Sequence, residues 1–294
     1  MDAVDRLGLW PLRVAWIALA VVASPVASDA LAGRSSAVAL VVAVLAYVGW
    51  AAALVALLVP RTISLTVVRA LIPAGAAATV VVAAEGGLGA LDLVAIVVGA
   101  LATVLALAPW TTDAFVDGSS YGPERRFALR TPLVVAAIAV ATWAVVVAGA
   151  LAGPLLLAAG QWAAGAAALV AGGAAAGFGA RSLHQLSRRW VVLVPTGMVL
   201  HDPLTMPEPQ LFLRQTMRHL GPGTAGITDE LVTEDLTAGA SGLALELVLS
   251  EPVDLLVHEG RGATATRAVH RVLLTPGRPG ALLAGARGHR LPVG

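Results

Sequence analysis

Residues 37–59 read AVALVVAVLAYVGWAAALVALLV, a run of 23 residues without a charged side chain. A helix of about 20 apolar residues crosses the roughly 30 Å hydrocarbon core of a bilayer. Inside lipid, each backbone N–H and C=O group needs a partner within the protein, and the run lacks the alternation of a barrel strand. The stretch therefore predicts a transmembrane helix.

Five further apolar runs of similar length flank this one in the first part of the chain. Pro60, Pro109 and the pair Gly153–Pro154 are predicted to lie in connections, where glycine and proline end helices. Residues 1–180 are therefore predicted to form a six-helix transmembrane domain. Its spans are placed near 12–32, 37–59, 64–84, 89–109, 132–152 and 155–178.

The composition excludes several classes of protein. Hydrophobic residues make up 58% of the 294 residues and charged residues 13%, whereas soluble domains carry about 25% charged residues. A disordered chain and an ordinary soluble domain are excluded. The chain has no cysteine, which excludes a disulfide framework and a zinc–thiolate site. The balance of 19 basic and 18 acidic residues gives no indication of nucleic-acid binding.

The placement of arginine predicts the orientation in the membrane. With the N-terminus in the cytoplasm, the outer loops contain only Arg34, and the inner ends and loops collect ten arginines. This is the positive-inside bias. It places both termini and residues 181–294 in the cytoplasm of a multi-pass cell-membrane protein. The inner arginines are Arg6, Arg13, Arg61, Arg69, Arg125, Arg126, Arg130, Arg181, Arg188 and Arg189.

The beginning of the chain leaves one alternative open. Residues 1–23 have the charged start and apolar run of a signal peptide, and Ala30-Leu31-Ala32 offers a cleavage site. The apolar run continues past Pro25, which favours a retained helix. Cleavage would leave five spans and the same cytoplasmic tail.

Ionisable residues within the predicted spans are candidate functional residues. They are Asp29, Arg69 and Asp92, and each lies near the end of its span. One interpretation is that all three reach for water at the interfaces. The alternative is that Asp29 and Asp92 line a small polar vestibule on the outer side.

Glycines spaced four apart in the last two spans predict close helix packing. The pairs are Gly149–Gly153 and Gly173–Gly177. Packing within the molecule is the first interpretation, and a dimer face is the alternative.

The predicted cytoplasmic loop at 110–131 carries the candidate site Asp113, Asp117, Arg125, Arg126 and Arg130. On a helix, carboxylates four residues apart share a face, and beside arginines they suit Mg²⁺ with a phosphate. That arrangement is similar to membrane-embedded transferases of lipid head groups or prenyl chains, although no other cytoplasmic loop supplies their second acidic cluster. The other interpretations are a solvated loop held at anionic head groups, and a loop that docks through its charges on the cytoplasmic domain.

Residues 181–294 are predicted to form a β-rich domain. The 11 arginines and 10 acids of this segment contrast with 8 and 8 in the longer first part. Strands are predicted at 190–195, 198–201, 210–217, 243–249, 253–258 and 265–274, with a hairpin turn at Thr196-Gly197, a loop at 221–226 and a helix at 279–287. This order of elements resembles bacterial pleckstrin-homology-like domains, in which a bent sheet is closed by a final helix. The resemblance implies a binding or assembly module.

Recognisable catalytic motifs do not occur in the sequence. There is no Walker loop, G-x-G-x-x-G or G-x-S-x-G motif, and the six histidines have no metal-ligand spacing. We therefore expect no catalytic, cofactor or metal site. The predicted function is that of a non-enzymatic membrane protein presenting a cytoplasmic interaction or scaffold domain, with the bilayer and a protein as partners. The alternatives are a transporter or lipid-handling protein, and a metal-dependent transferase using the 110–131 loop.

Overall fold

The computed structural model describes residues 7–86, 88–223, 232–260 and 262–294. The chain divides into two compact units. The membrane unit comprises the residues up to Phe115 and Ile138–His184, and the β unit comprises Val116–Ala137 and Gln185–Gly294. Both units are built from two separate pieces of the chain.

Among the described residues, six helices are long and apolar enough to cross a membrane. This confirms the predicted fold class for this part of the chain. The bilayer-exposed surface explains why so many large apolar side chains, such as Val21, Tyr47 and Val97, lie on the outside. The helices are α1 (Trp10–Leu31), α2 (Ser36–Leu58), α3 (Thr62–Gly86), α4 (Ala90–Leu107), α6 (Leu133–Ala158) and α7 (Trp162–Leu186), with the short α5 (Pro109–Asp117) after α4.

The prediction that Gly153 and Pro154 lie in a connection is wrong, because both lie inside α6. The turn between α6 and α7 is made instead by residues 159–161, and Gly160 adopts a φ of +77° there. Proline is tolerated within a transmembrane helix because neighbouring groups satisfy the freed backbone carbonyl. Pro25 in α1 and Pro73 in α3 are also internal to their helices.

Tryptophan and arginine side chains join the helices of the membrane unit. The indole of Trp16 on α1 donates to the carbonyl of Trp50 on α2 at 3.1 Å, and the indole of Trp50 donates back to Trp16 at 3.4 Å. Arg13 donates to the carbonyl of Leu57 at 3.1 and 2.9 Å. Because the last carbonyls of a helix have no partner within it, the guanidinium completes the C-terminal end of α2.

A seam of glycines joins α6 to α7. Gly149 on α6 faces Gly172 on α7, and a Cβ atom at Gly149 would lie 2.5 Å from the Gly172 Cα. Gly165 and Gly179, seven residues to either side of Gly172, meet Leu157 and Thr142 of α6. Small residues at this spacing let two helix backbones approach closely. Gly149 and Gly153 thus pack within the molecule, whereas Gly173 and Gly177 have open space beside them.

Two adjacent glycines of α7 should respond in opposite ways to the same substitution. In Gly172→Ala the new Cβ would lie 2.8 Å from the Gly149 Cα, so the helices must separate. We expect a loss of about 1–3 kcal/mol. Gly173→Ala meets no atom within 4 Å and should leave stability unchanged or raise it. Unfolding of the two variants in detergent measures the difference, and equal stability would show that the seam is not closely packed.

In its described residues, the β unit contains two four-stranded sheets and a C-terminal helix, which confirms the predicted α+β class. The first sheet has the order β1-β2-β3-β4, and the second has the order β5-β7-β8-β6 with β6 parallel to β8. The strands are β1 (Arg125–Ala128), β2 (Trp190–Val194), β3 (Gly197–His201), β4 (Gln210–Leu213), β5 (Met217–Pro222), β6 (Thr233–Asp235), β7 (Leu245–His258) and β8 (Thr264–Leu274). The helix is α8 (Pro279–Gly288).

One hydrophobic core holds the two sheets and the helix together. Val191 and Leu193 from the first sheet, Leu247 and Val272 from the second, and Leu282 from α8 are each 0% exposed and belong to it. The two sheets therefore enclose the core with one face each, and their other faces point away from it.

The first strand of the β unit comes from the loop between α4 and α6. Arg125 to Ala128 pair antiparallel with Leu193 to Trp190, and Phe127 and Leu129 enter the core at 2% and 6% exposure. The predicted division at residue 180 thus differs from the observed units, because β1 precedes two transmembrane helices and β2 follows them. We call α6 and α7 with their connection the inserted hairpin (residues 133–186).

Several other strands differ in extent from the predictions. The segments predicted at 243–249 and 253–258 form one strand, β7, whose pairing with β8 is irregular between Val248 and Val253. The segment predicted at 210–217 ends at Leu213, and a 3₁₀ turn at Arg214–Thr216 separates it from β5. The predicted loop at 221–226 lies partly outside the described residues.

On β8, the guanidinium of Arg267 donates hydrogen bonds to the carboxylate of Glu234 at 3.0 Å and to that of Glu259 at 3.1 Å. These hydrogen bonds raise the pKa of Arg267.

Candidate functional site

A buried arginine, paired with an aspartate, joins the two ends of the inserted hairpin. Arg189 lies just before β2, and its Nε and Nη2 atoms each donate to Asp202 at 2.7 Å. Its Nη1 atom donates to the carbonyl of Arg130, just after β1, also at 2.7 Å. The two side chains are 2% and 0% exposed. We call Arg189, Asp202 and the Arg130 carbonyl the junction clamp.

Backbone hydrogen bonds reinforce the junction clamp. The N–H of Leu129 donates to the Arg189 carbonyl at 3.0 Å, and the N–H of Arg130 donates to the Thr275 carbonyl at 2.8 Å. A bidentate arginine–carboxylate pair fixes orientation as well as distance. The points where the chain leaves and re-enters the β unit are therefore held side by side.

Arg189 is predicted with Arg188 as a cytoplasmic basic residue, and its pairing with Asp202 is an observation of the structure. The signal was present in the predicted β2–β3 hairpin. Trp190 pairs with His201 in the observed register, so Arg189 and Asp202 are the next opposed positions beyond the last pair. Opposite charges at opposed positions of two strands attract each other. Placing the predicted turn at Thr196-Gly197 rather than one residue earlier moved the register and concealed the pair.

The five candidate residues of the 110–131 loop take separate structural positions. Asp113 is buried in the membrane unit, and Asp117 ends α5 within the β unit. The Oδ1 atom of Asp117 accepts the N–H of Arg126 at 2.8 Å and the hydroxyl of Ser120 at 2.9 Å. Asp117 therefore shapes the turn that leads into β1.

The three arginines of the loop belong to the sheet and its edge. Arg125 lies over the ring of Phe127, at 5.4 Å from its centroid, and Arg126 lies over Trp190 at 5.7 Å. Arg126 also pairs with Glu124 at 3.4 Å, and Arg130 covers Gly242. His201 stacks on the other side of Trp190 with centroids 4.8 Å apart. The loop thus belongs to the β unit through the pairing of β1 with β2, and its charged side chains lie around the edge of the sheet.

Asp29 and Asp92, the acidic candidates within the spans, lie near the ends of their helices. Asp29 is exposed near the end of α1. Asp92 lies in the first turn of α4, where its carboxylate accepts the N–H of Gly89 at 2.8 Å. A carboxylate there satisfies an unpaired helix donor and the helix dipole. Near them, Arg34 and Glu85 form an exposed ion pair at 2.6 Å.

Arg69 is the centre of a polar group in the membrane unit. Its Nη2 atom donates to the hydroxyl of Thr112 at 2.7 Å, and that hydroxyl donates to the carbonyl of Ala108 at 3.2 Å. One turn earlier on α3, Thr66 is hydrogen-bonded to His184 of α7 at 3.2 Å. We call Arg69, Thr66, Thr112 and His184 the Arg69 group. The guanidinium lies beside the C-terminal end of α4, where carbonyl groups favour a cation.

The described part of the chain contains no candidate metal site. No group of three or more His, Cys, Asp or Glu residues there has a geometry that would hold a metal ion. Three of the histidines, His184, His201 and His289, instead contact hydroxyl or backbone groups. His289 contacts the carbonyl of Gly285 at 3.0 Å and that of Pro123 at 2.8 Å, which joins α8 to the turn before β1.

Comparison with known proteins yields no relative. No protein-family model, curated protein or solved structure matches the chain.

Proposed function

We propose that the chain is a non-enzymatic integral membrane protein whose membrane unit presents the β unit in the cytoplasm as an interaction or scaffold domain. The observation that carries this proposal is the inserted hairpin. Because β1 and β2 are adjacent strands joined through two membrane helices and the junction clamp, the β unit is anchored at its own first sheet rather than by a flexible linker. Such an attachment suits a domain that must present a surface in a fixed place.

The order of the elements supports the resemblance to bacterial pleckstrin-homology-like domains. A four-stranded antiparallel sheet is followed by a second sheet and then by α8. The implied role is a module for binding or assembly. The cytoplasmic location follows from the arginine bias of the sequence and is part of the proposal.

A second candidate function, lipid or solute handling, is favoured by the Arg69 group. A charged side chain within a membrane span is costly and is often kept for function. Here the guanidinium, two threonine hydroxyls and an imidazole come together near one end of α3. The hydroxyls of Thr66 and Thr112 donate to the carbonyls of Thr62 and Ala108, so the guanidinium of Arg69 is the donor that would bind an anionic head group or solute.

Matched substitutions distinguish the two functions. Photo-crosslinking in native membranes, with probes on the exposed β-unit positions Tyr121 and Leu243, should capture a protein partner. Arg189→Met, which breaks the junction clamp and destabilises the β unit, should reduce the capture, and Arg69→Gln should leave it unchanged. If the purified protein instead moves a solute or lipid in liposomes, and Arg69→Gln alone abolishes that movement, the interaction function is wrong.

A further inference from the structure

The outer face of the first sheet carries apolar side chains on β2, β3 and β4 although it points away from the core, and Arg126 of β1 continues the same row. Side chains alternate between the two faces of a strand, so Val192 of β2, Val199 of β3 and Leu211 of β4 share the outer face. The register places these three side by side in one row across the sheet. We call the row and its neighbours Trp190 and Leu213 the outer apolar face.

The exposed fraction of the side chains on this face increases from β2, in the middle of the sheet, to β4 at its edge. Val192 is 8% exposed, whereas Leu211 and Leu213 are 41% and 38% exposed. An antiparallel sheet with one face in water normally carries polar residues on that face. The first sheet has apolar side chains on its outer face as well as on its core face. We therefore infer that the outer face, like the core face, is covered in the functional protein.

The length of the connections restricts what can cover it. Residues 129–132 separate β1 from α6, and residues 187–189 separate α7 from β2. Connections this short reach about 15 Å at most. The head-group layer on each side of a bilayer is itself about 5–8 Å thick. The sheet is therefore restricted to the neighbourhood of the membrane surface.

The charges at the rim of the face match an anionic surface. Arg188 is exposed one residue before the junction clamp, and its carbonyl is contacted by His201 at 2.7 Å. Arg214 is exposed directly after Leu213, where its N–H donates to the carbonyl of Thr196 at 2.8 Å. Trp190, between Arg126 and His201, has the amphipathic character of side chains found at membrane interfaces.

We propose that the outer apolar face binds the head-group region of the membrane leaflet next to the inserted hairpin, with Arg188 and Arg214 contacting anionic lipids. The inference rests on the proposed anchoring of the β unit at a membrane. Leu211 and Leu213 supply the apolar contact, and the arginines make it depend on lipid charge and on salt. The first sheet is thereby the part of the β unit that contacts lipid.

The absence of cysteine makes a direct test practicable, because one introduced cysteine can be labelled alone. The full chain is reconstituted in nanodiscs that contain phosphatidylglycerol and doxyl-labelled lipid. Leu211→Cys carries an environment-sensitive fluorophore, and Ala268→Cys, exposed on the other sheet, is the matched control. We expect the label at 211 to be quenched by the doxyl lipid and the label at 268 to remain unquenched.

The arginine contribution is tested in the same assay. Each arginine at an anionic surface is worth about fivefold, so Arg188→Gln with Arg214→Gln should weaken docking by about 30-fold. Nanodiscs of phosphatidylcholine alone, or high salt, should act in the same direction. If neither change reduces the quenching at 211, the proposed role of anionic lipid is wrong.

Two outcomes would overturn the docking itself. The first is equal quenching at positions 211 and 268. The second is a label at 211 that is shielded from aqueous iodide but is not quenched by the doxyl lipid. A protein, such as a second copy of the chain, would then cover the outer apolar face. Either result leaves the capture experiment for the interaction function unaffected, so the two proposals fail separately.

Discussion

A protein that joins residues 116–131 to residues 187–294 through a short turn, which we call the hairpin-deleted protein, should fold as a water-soluble β domain. Leu129 already donates to Arg189 across the junction, so a turn of a few residues can close the gap between β1 and β2. The converse protein, residues 181–294 alone, should not fold. It lacks β1, and burial of Phe127 and Leu129 is worth about 1.5–3 kcal/mol for each side chain. Domains of this size have a net stability of about 5–15 kcal/mol.

Circular dichroism and thermal unfolding of the two proteins measure this difference. Phe127→Ser in the hairpin-deleted protein is the control, because it keeps β1 but removes its side chain from the core. The hairpin-deleted protein should unfold cooperatively, and the other two should show weak or no transitions. If residues 181–294 alone unfold as cooperatively as the hairpin-deleted protein, β1 is not a necessary part of the domain.

Breaking the junction clamp from one side should be the most damaging single change in the β unit. Arg189→Met leaves the Asp202 carboxylate buried without its counter-ion, at a side chain that is 0% exposed. The expected loss of unfolding free energy is about 3–5 kcal/mol. Arg189→Met with Asp202→Leu should recover most of it, because an apolar pair of similar volume replaces the buried ions. Arg188→Met, at the exposed neighbour, should change stability by less than about 0.5 kcal/mol.

Urea unfolding of the hairpin-deleted protein provides the measurement. Trp190 is the only tryptophan in residues 116–131 and 187–294, so its fluorescence reports directly on the first sheet. A double variant as unstable as Arg189→Met would mean that the Arg130 carbonyl or the Leu204 N–H, each bonded to the clamp, determines the loss.

The membrane helices could be predicted from the sequence because their signal is local. Each span is a long apolar run, and the hydrocarbon thickness sets its length regardless of the rest of the fold. The predictions were wrong where contacts between packed helices take the place of contacts with water. Pro154 was interpreted as a helix end because proline ends helices in solution, whereas α6 continues past it within the membrane unit.

Strand β1 shows why the candidate site was predicted only in part. Its four residues, Arg-Arg-Phe-Ala, have too short a pattern to indicate a strand by themselves. Its partner Trp190–Val194 lies beyond two transmembrane helices, so no local pattern connects them. Docking of this loop on the cytoplasmic domain was one of the predicted alternatives, but through its charged side chains. The observed attachment uses backbone pairing and Phe127, which charge patterns do not report.

The position of β1 has a consequence for how the protein is made. Translation proceeds at about 5–20 residues per second, and the ribosome must add the whole inserted hairpin and then β2 before β1 meets its partner. Strand β1 therefore remains without its partner for several seconds, until both hairpin helices and β2 have been synthesised. The first sheet of the β unit is thus completed only after the last transmembrane helix has been made.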